Sequence, residues 1–182
     1  MRRIGWLVVA LICAALTVVV IAWPALTELR QSKNWQITRV EGDSGTLGGV
    51  TVRVEAARGM IMPARPDRAL LFLRLSLQGN PDELASWLGC DLALSDPKGR
   101  SWFPVSGALA DQILDRLSDV GTSAPRCSQS LFRAPKGGAT LSEQVFVVPV
   151  DTLTTLRVEL SSTTTRPKAL SLPFTPRLRP PV

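Results

Sequence analysis

Residues 90–105 read CDLALSDPKGRSWFPV, and the fold turns on how they are parsed. Cys90, Leu92 and Leu94 alternate with Asp91, Ala93 and Ser95, the period-two pattern of a strand with one buried face. Asp96-Pro97-Lys98-Gly99 places Asp first, Pro second and Gly fourth, the preference of a type I turn. Arg100 to Val105 then returns as the partner strand, so most of the polar residues here are the corner of a hairpin. Ser95 to Lys98 formally match the S-x-x-K pattern of serine acyl enzymes. That chemistry needs Ser and Lys on one helical turn, and Pro97 between two strands prevents it.

The same period runs outward in both directions. WQITRVE (35–41) and VTVRVEA (50–56) are separated by the turn-rich GDSGTLGG, and Val50, Val52 and Val54 share one face opposite Thr51, Arg53 and Glu55. In ALLFLRLSLQ (69–78), Leu71, Leu73, Leu75 and Leu77 line one face, with Arg74 and Ser76 opposite. NPDELASWLG (80–89) reads as a two-turn helix: Asn80 is a suitable cap, Pro81 fits the first position, and Glu83 completes a capping box. It is expected to carry the chain from one sheet to the other. SGALADQILDRLSDVG (106–121) shifts to a helical period, with Leu109, Ile113, Leu114, Leu117 and Val120 on one face and Asp111, Asp115, Arg116 and Asp119 away from it. EQVFVVPV, TLRVEL and ALSLPF supply three further strands, before the tail TPRLRPPV (175–182), whose composition reads as disordered.

Ahead of this β-rich region, Ile4 to Trp23 carry no charge. Twenty helical residues span about 30 Å, the thickness of a bilayer's hydrocarbon core. Arg2 and Arg3 precede the run, so the N-terminus is expected in the cytoplasm and the rest of the chain outside. A cleaved signal peptide would end in small residues, whereas Trp23 and Pro24 stand there. Lipid is therefore the expected partner of residues 4–23.

Composition narrows the function. The 182 residues contain no histidine and no tyrosine, and the formal net charge is +6. Ser-His-Asp and Cys-His sites are excluded, and zinc enzymes built on histidine with them. The basic residues are scattered, which argues against a nucleic-acid face. No catalytic residue, cofactor or metal site is expected. Asp111, Asp115 and Asp119 are spaced along a helix face, unlike the closely set oxygens of a calcium loop.

Of the three cysteines, Cys13 lies within the uncharged run. Cys90 and Cys127 would both face an oxidising compartment and are expected to pair. Closing their loop would stabilise the fold by about 3–4 kcal/mol in the chain-entropy picture. Trp87 and Trp102 flank the hairpin, with Phe103 and Trp35 as candidate neighbours, and form the candidate ligand or partner surface. Aromatic residues beside a disulfide are more often core.

The run LALSDPKGRSWFPV and the later GATLSEQVFVVPVDTLTTLRVEL together resemble the telokin-like, immunoglobulin-like extracellular domains of bacteria, a group related to the mycobacterial immunoprotective antigen. Asp96, Gly99 and Trp102 match its first motif, and Gly138, Phe146, Val148 and Pro149 its second. The resemblance implies an immunoglobulin-like sandwich outside the cell and carries no catalytic residues.

The expected architecture is mainly β. It comprises an antiparallel immunoglobulin-like β-sandwich with two short helical insertions, preceded by one transmembrane helix. The expected segments are an anchor (1–26), a juxtamembrane linker (27–34), the extracytoplasmic sandwich (35–174) and a disordered Pro/Arg tail (175–182). The expected function is a single-pass, membrane-anchored binding or accessory module that docks on a protein partner in the membrane or envelope. The alternative is an anchored receptor for a small ligand or envelope polymer.

Overall fold

The computed structural model describes residues 35–87, 89–118 and 138–180, with Ala124, Arg126 and, near the N-terminus, Cys13, Leu16, Thr17, Val19, Val20, Ala22 and Trp23. The chain divides into two compact units, Met1–Trp35 and Gln36–Val182. In the first, the described N-terminal residues are helical, and Thr17 Oγ1 donates to the Cys13 carbonyl at 2.8 Å. Leu16, Val19, Val20 and Trp23 are exposed apolar side chains. Among the described residues no helix is long and apolar enough to cross a membrane. The span expected at residues 4–23 lies largely outside them.

The second unit is mainly β. Its strands are β1 (Gln36–Arg39), β2 (Ser44–Leu47), β3 (Val50–Met62), β4 (Arg65–Gln78), β5 (Cys90–Ser95), β6 (Ser101–Trp102), β7 (Ala139–Pro149), β8 (Arg157–Ser162), β9 (Lys168–Pro173) and β10 (Arg177–Arg179). They form two five-stranded sheets. One has the order β1-β9-β8-β5-β6; the other has the order β10-β3-β4-β7, with β2 also on β3. Pairing is antiparallel except at β1–β9 and β10–β3, which are parallel. Leu71, Leu73, Leu75, Leu77, Phe146 and Val148 of one sheet share a core with Leu92, Leu94, Val158, Leu160, Leu170 and Leu172 of the other. Each such fully buried side chain contributes about 1.5–3 kcal/mol through the water it leaves behind.

The alternation read from the sequence holds in β3 and on the leucine face of β4, but not in β1, where Gln36–Arg39 are all exposed. Val50 and Val52 are buried while Arg53 and Glu55 are exposed, and Leu71, Leu73, Leu75 and Leu77 all face the shared core. The helix α1 (Pro81–Ser86) joins β4 to β5 across the two sheets, as expected, and its capping box is complete: Asn80 Oδ1 accepts from Asp82 N at 3.3 Å and Glu83 Oε2 from Asn80 N at 3.2 Å. The two-residue turn between β2 and β3 needs glycine at both places. Gly48 and Gly49 have φ of 56° and 79°, and a Cβ on Gly49 would run into the Glu83 carboxylate.

The helix α2 (Ala108–Leu117) covers the outer face of the second sheet, where Ala110, Ile113 and Leu117 pack on Met60, Leu70, Phe72 and Val145. This second cluster explains why β4 is apolar on both faces. Leu109, expected on the buried side, is exposed, because Ala110 takes the inward place in the first turn. Val120 lies outside the described residues.

The tail departs from the expectation of disorder. Arg177–Arg179 pair in parallel with Arg58–Met60, and Leu178 lies over Gly59, where a Cβ would sit 2.9 Å from its methyl. Strand pairing uses backbone groups, and both Pro176 and Pro180 fall outside the paired residues, so proline content alone does not prevent it.

Candidate functional site

The hairpin that looked chemical in the sequence is closed on itself. Leu94 pairs with Trp102 and Ser95 with Ser101, so the return strand is shorter than the expected Arg100–Val105, and Val105 N donates instead to Val145 O of β7 at 2.8 Å. Gly99 N donates to Asp96 O at 3.0 Å, with Gly99 at φ 77°. Asp96 Oδ1 accepts from Lys98 N (3.0 Å) and Arg100 N (2.9 Å), and its Oδ2 accepts from Arg100 Nε at 2.8 Å. The same guanidinium reaches Asp151 at 3.2 Å and lies over the Trp102 ring, 5.5 Å from its centroid. Burial pushes the Asp96 carboxyl up, but the Arg100 backbone N–H and guanidinium, with the Lys98 N–H, outweigh it and hold the group below its ordinary 3.8. Hydrogen bonding to Asp96 in turn raises Arg100 above its ordinary value, against the opposing effect of its own desolvation. The Asp96 and Arg100 charges are thus met within the turn or by Asp151.

The candidate residues separate. Trp87 is only 1% exposed and belongs to the shared core, so it is not a ligand surface; as the residue that caps α1, it is turned inward where the helix ends. Its Nε1 has no hydrogen-bond partner among the described residues, which offsets part of what burying the ring contributes. Trp102 is half-buried beneath Arg100. Cys90 is buried in the core and disulfide-bonded, whereas Cys13 is a free thiol. Cys127 lies outside the described residues. Phe103 is 73% exposed, and Trp35 falls in the other unit.

Charged contacts also tie down the insertion. Arg74 Nε donates to Glu143 Oε1 at 2.8 Å, with Glu143 nearly fully buried, and Ala124 N donates to Glu143 Oε2 at 3.4 Å. Arg58 donates to the Leu117 carbonyl at 2.8 Å, satisfying an end of α2, and both Arg58 and Arg74 lie over the Phe72 ring. Asp111 pairs with Arg126. The Asp115 side chain and Asp119 lie outside the described residues. Arg74 and Glu143 stand opposite each other on β4 and β7, and breaking their buried pair from one side would leave a charge without its partner.

A different place is concave. β2 covers the outer edge of β3 as far as Arg53, and Val54 N donates to Asp43 O at 3.0 Å; β10 begins opposite Arg58. Between them no strand among the described residues pairs with Glu55, Ala56 or Ala57 on that side. The β3–β4 register shifts between Val54 and Ala56, a bulge that leaves Glu55 as the extra residue. Around this window lies a cleft of about 370 Å³, whose walls are Asp43, residues 54–58, the crossover Pro173-Phe174-Thr175, and Arg177. That volume lies within the range of small-ligand sites, about 300–1,000 Å³. The sequence held no motif for it, because the cleft arises from where two short strands stop.

The sequence matches no family model and no curated protein. Among solved structures, the chain is similar to a candidate lipoprotein from Staphylococcus aureus, with 7% identity and a TM-score of 0.44 over 79% of this chain and 97% of the other. It is also similar to the yjhA protein from Bacillus subtilis, with 12% identity and a TM-score of 0.41 over 75% of this chain and 100% of that one. At these values neither protein lends this chain a function or a location.

Proposed function

We propose that residues 4–23 anchor the chain in a membrane with its N-terminus in the cytoplasm, and that the sandwich stands outside as a non-catalytic binding or accessory module. The uncharged run from Ile4 to Trp23, preceded by two arginines and joined to a mainly β unit, carries this reading. The sandwich is read as immunoglobulin-like, of the telokin-like bacterial group, and the partner of the Cys90 disulfide as Cys127. Docking on a membrane or envelope protein is the leading role. The absence of histidine supports a role without acid–base chemistry near neutral pH.

The cleft on the β3 edge favours the second reading, an anchored receptor for a small ligand. Cross-linking intact cells and extracting the whole chain separates the two. A stoichiometric membrane protein recovered with it supports the accessory role. Recovery of the chain alone shifts the assignment to the receptor.

A further inference from the structure

The cleft on the edge of β3 has a direction. At the β2 end stand Asp43 and Glu55; at the β10 end stand Arg58 and Arg177. Some of these charges are already engaged: Asp43 lies 3.7 Å from Arg53, and Arg58 holds the Leu117 carbonyl. Among the described residues, Glu55 and Arg177 have no ion-pair partner. An unmatched anion and an unmatched cation therefore mark opposite ends of the same cleft. The backbone between them is a strand edge three residues long that no neighbouring strand among the described residues covers, and such an edge is a template for another extended chain. Three residues of strand extend about 10 Å. Val54, Ala56, Ala57, Pro173 and Phe174 supply apolar wall, suited to small side chains.

We propose that this cleft binds a short free peptide of about three residues, laid along β3 as an added strand. Its amino group would lie toward Glu55 and its carboxylate toward Arg177. That polarity makes the ligand run parallel to β3, in the same sense as β10 beyond it. Complementary charge at the two ends sets the orientation, while main-chain hydrogen bonds to the open edge supply affinity without reading the side chains closely. The inference rests on the receptor reading and names its ligand class.

The test uses the full chain in detergent micelles, isotope-labelled for amide NMR, with trialanine as the probe. Saturable shifts are expected at the amides of Glu55, Ala56, Ala57 and Thr175 at up to millimolar peptide. Binding should weaken several-fold for N-acetylated, C-amidated trialanine and for trialanine N-methylated at its central residue. Arg177→Glu should weaken the free peptide while narrowing its advantage over the amidated one, with amides remote from the cleft unmoved. Absence of shifts with trialanine, or equal binding of the capped and N-methylated forms, would overturn the peptide assignment. Shifts at the same amides with N-acetylglucosamine but not with the peptide would overturn it too, while leaving a receptor for an envelope polymer standing.

Discussion

The β5–β6 hairpin and the β3 edge are both rich in charge, and they use it in opposite ways. In the hairpin, Asp96 is surrounded by three donors from Lys98 and Arg100, and Arg100 is shared with Asp151 and the Trp102 ring. That pair is satisfied without a ligand. On the β3 edge, Glu55 and Arg177 line a cleft, unmatched among the described residues, beside three residues of uncovered strand. Charge satisfied within a turn builds scaffold. Charge left over beside an open edge makes a place for something else to bind.

Substitutions should separate the two regions, and the largest effect belongs to the scaffold. Trp87→Ala empties a fully buried place in the shared core and should cost about 3–5 kcal/mol, read from urea unfolding. A loss below about 1 kcal/mol would return Trp87 to the surface residues. Next comes acid. Because Asp96 is held below its ordinary value, the native state binds its proton less readily than the unfolded chain. Its contribution is therefore full above the unfolded value near 3.8 and is lost as pH falls through the lower, folded value. Asp96→Asn should destabilise the chain at neutral pH and flatten that part of the acid limb; an unchanged acid limb would mean the turn does not depend on the carboxylate.

Asn80→Ala removes the cap of α1 and should cost about 1 kcal/mol, again read from urea unfolding. The smallest effect on stability is expected at the cleft. Glu55→Ala with Arg177→Ala should change unfolding by less than about 0.5 kcal/mol, since neither side chain has an ion-pair partner to lose among the described residues. The same pair should nonetheless abolish the orientation preference for a free peptide. A large destabilisation would show that these charges serve the fold after all.

Particular residues show what the sequence could and could not convey. The hairpin, the α1 cap and the leucine face of β4 were legible because each depends on residues close in sequence or on a regular period. The same local reading misplaced Leu109 by one position of a helical turn. It also left Trp87 open between a candidate ligand surface and the core, since adjacency to a hairpin says nothing about which way a ring turns at a helix end. The tail read as disordered from its prolines, yet β10 forms by backbone pairing to a strand far earlier in the chain. The cleft was the least legible feature of all. It is an interval between two strand ends, set by the lengths of β2 and β10 and by the bulge at Glu55.

The proposed topology, which puts the cleft outside the membrane, can be tested directly by labelling Arg177→Cys with a membrane-impermeant maleimide on cells whose plasma membrane is intact. Labelling of the variant above the unsubstituted chain, without lysis, is the predicted result. Labelling only after the membrane is broken would put the cleft on the cytoplasmic side and contradict the proposed topology.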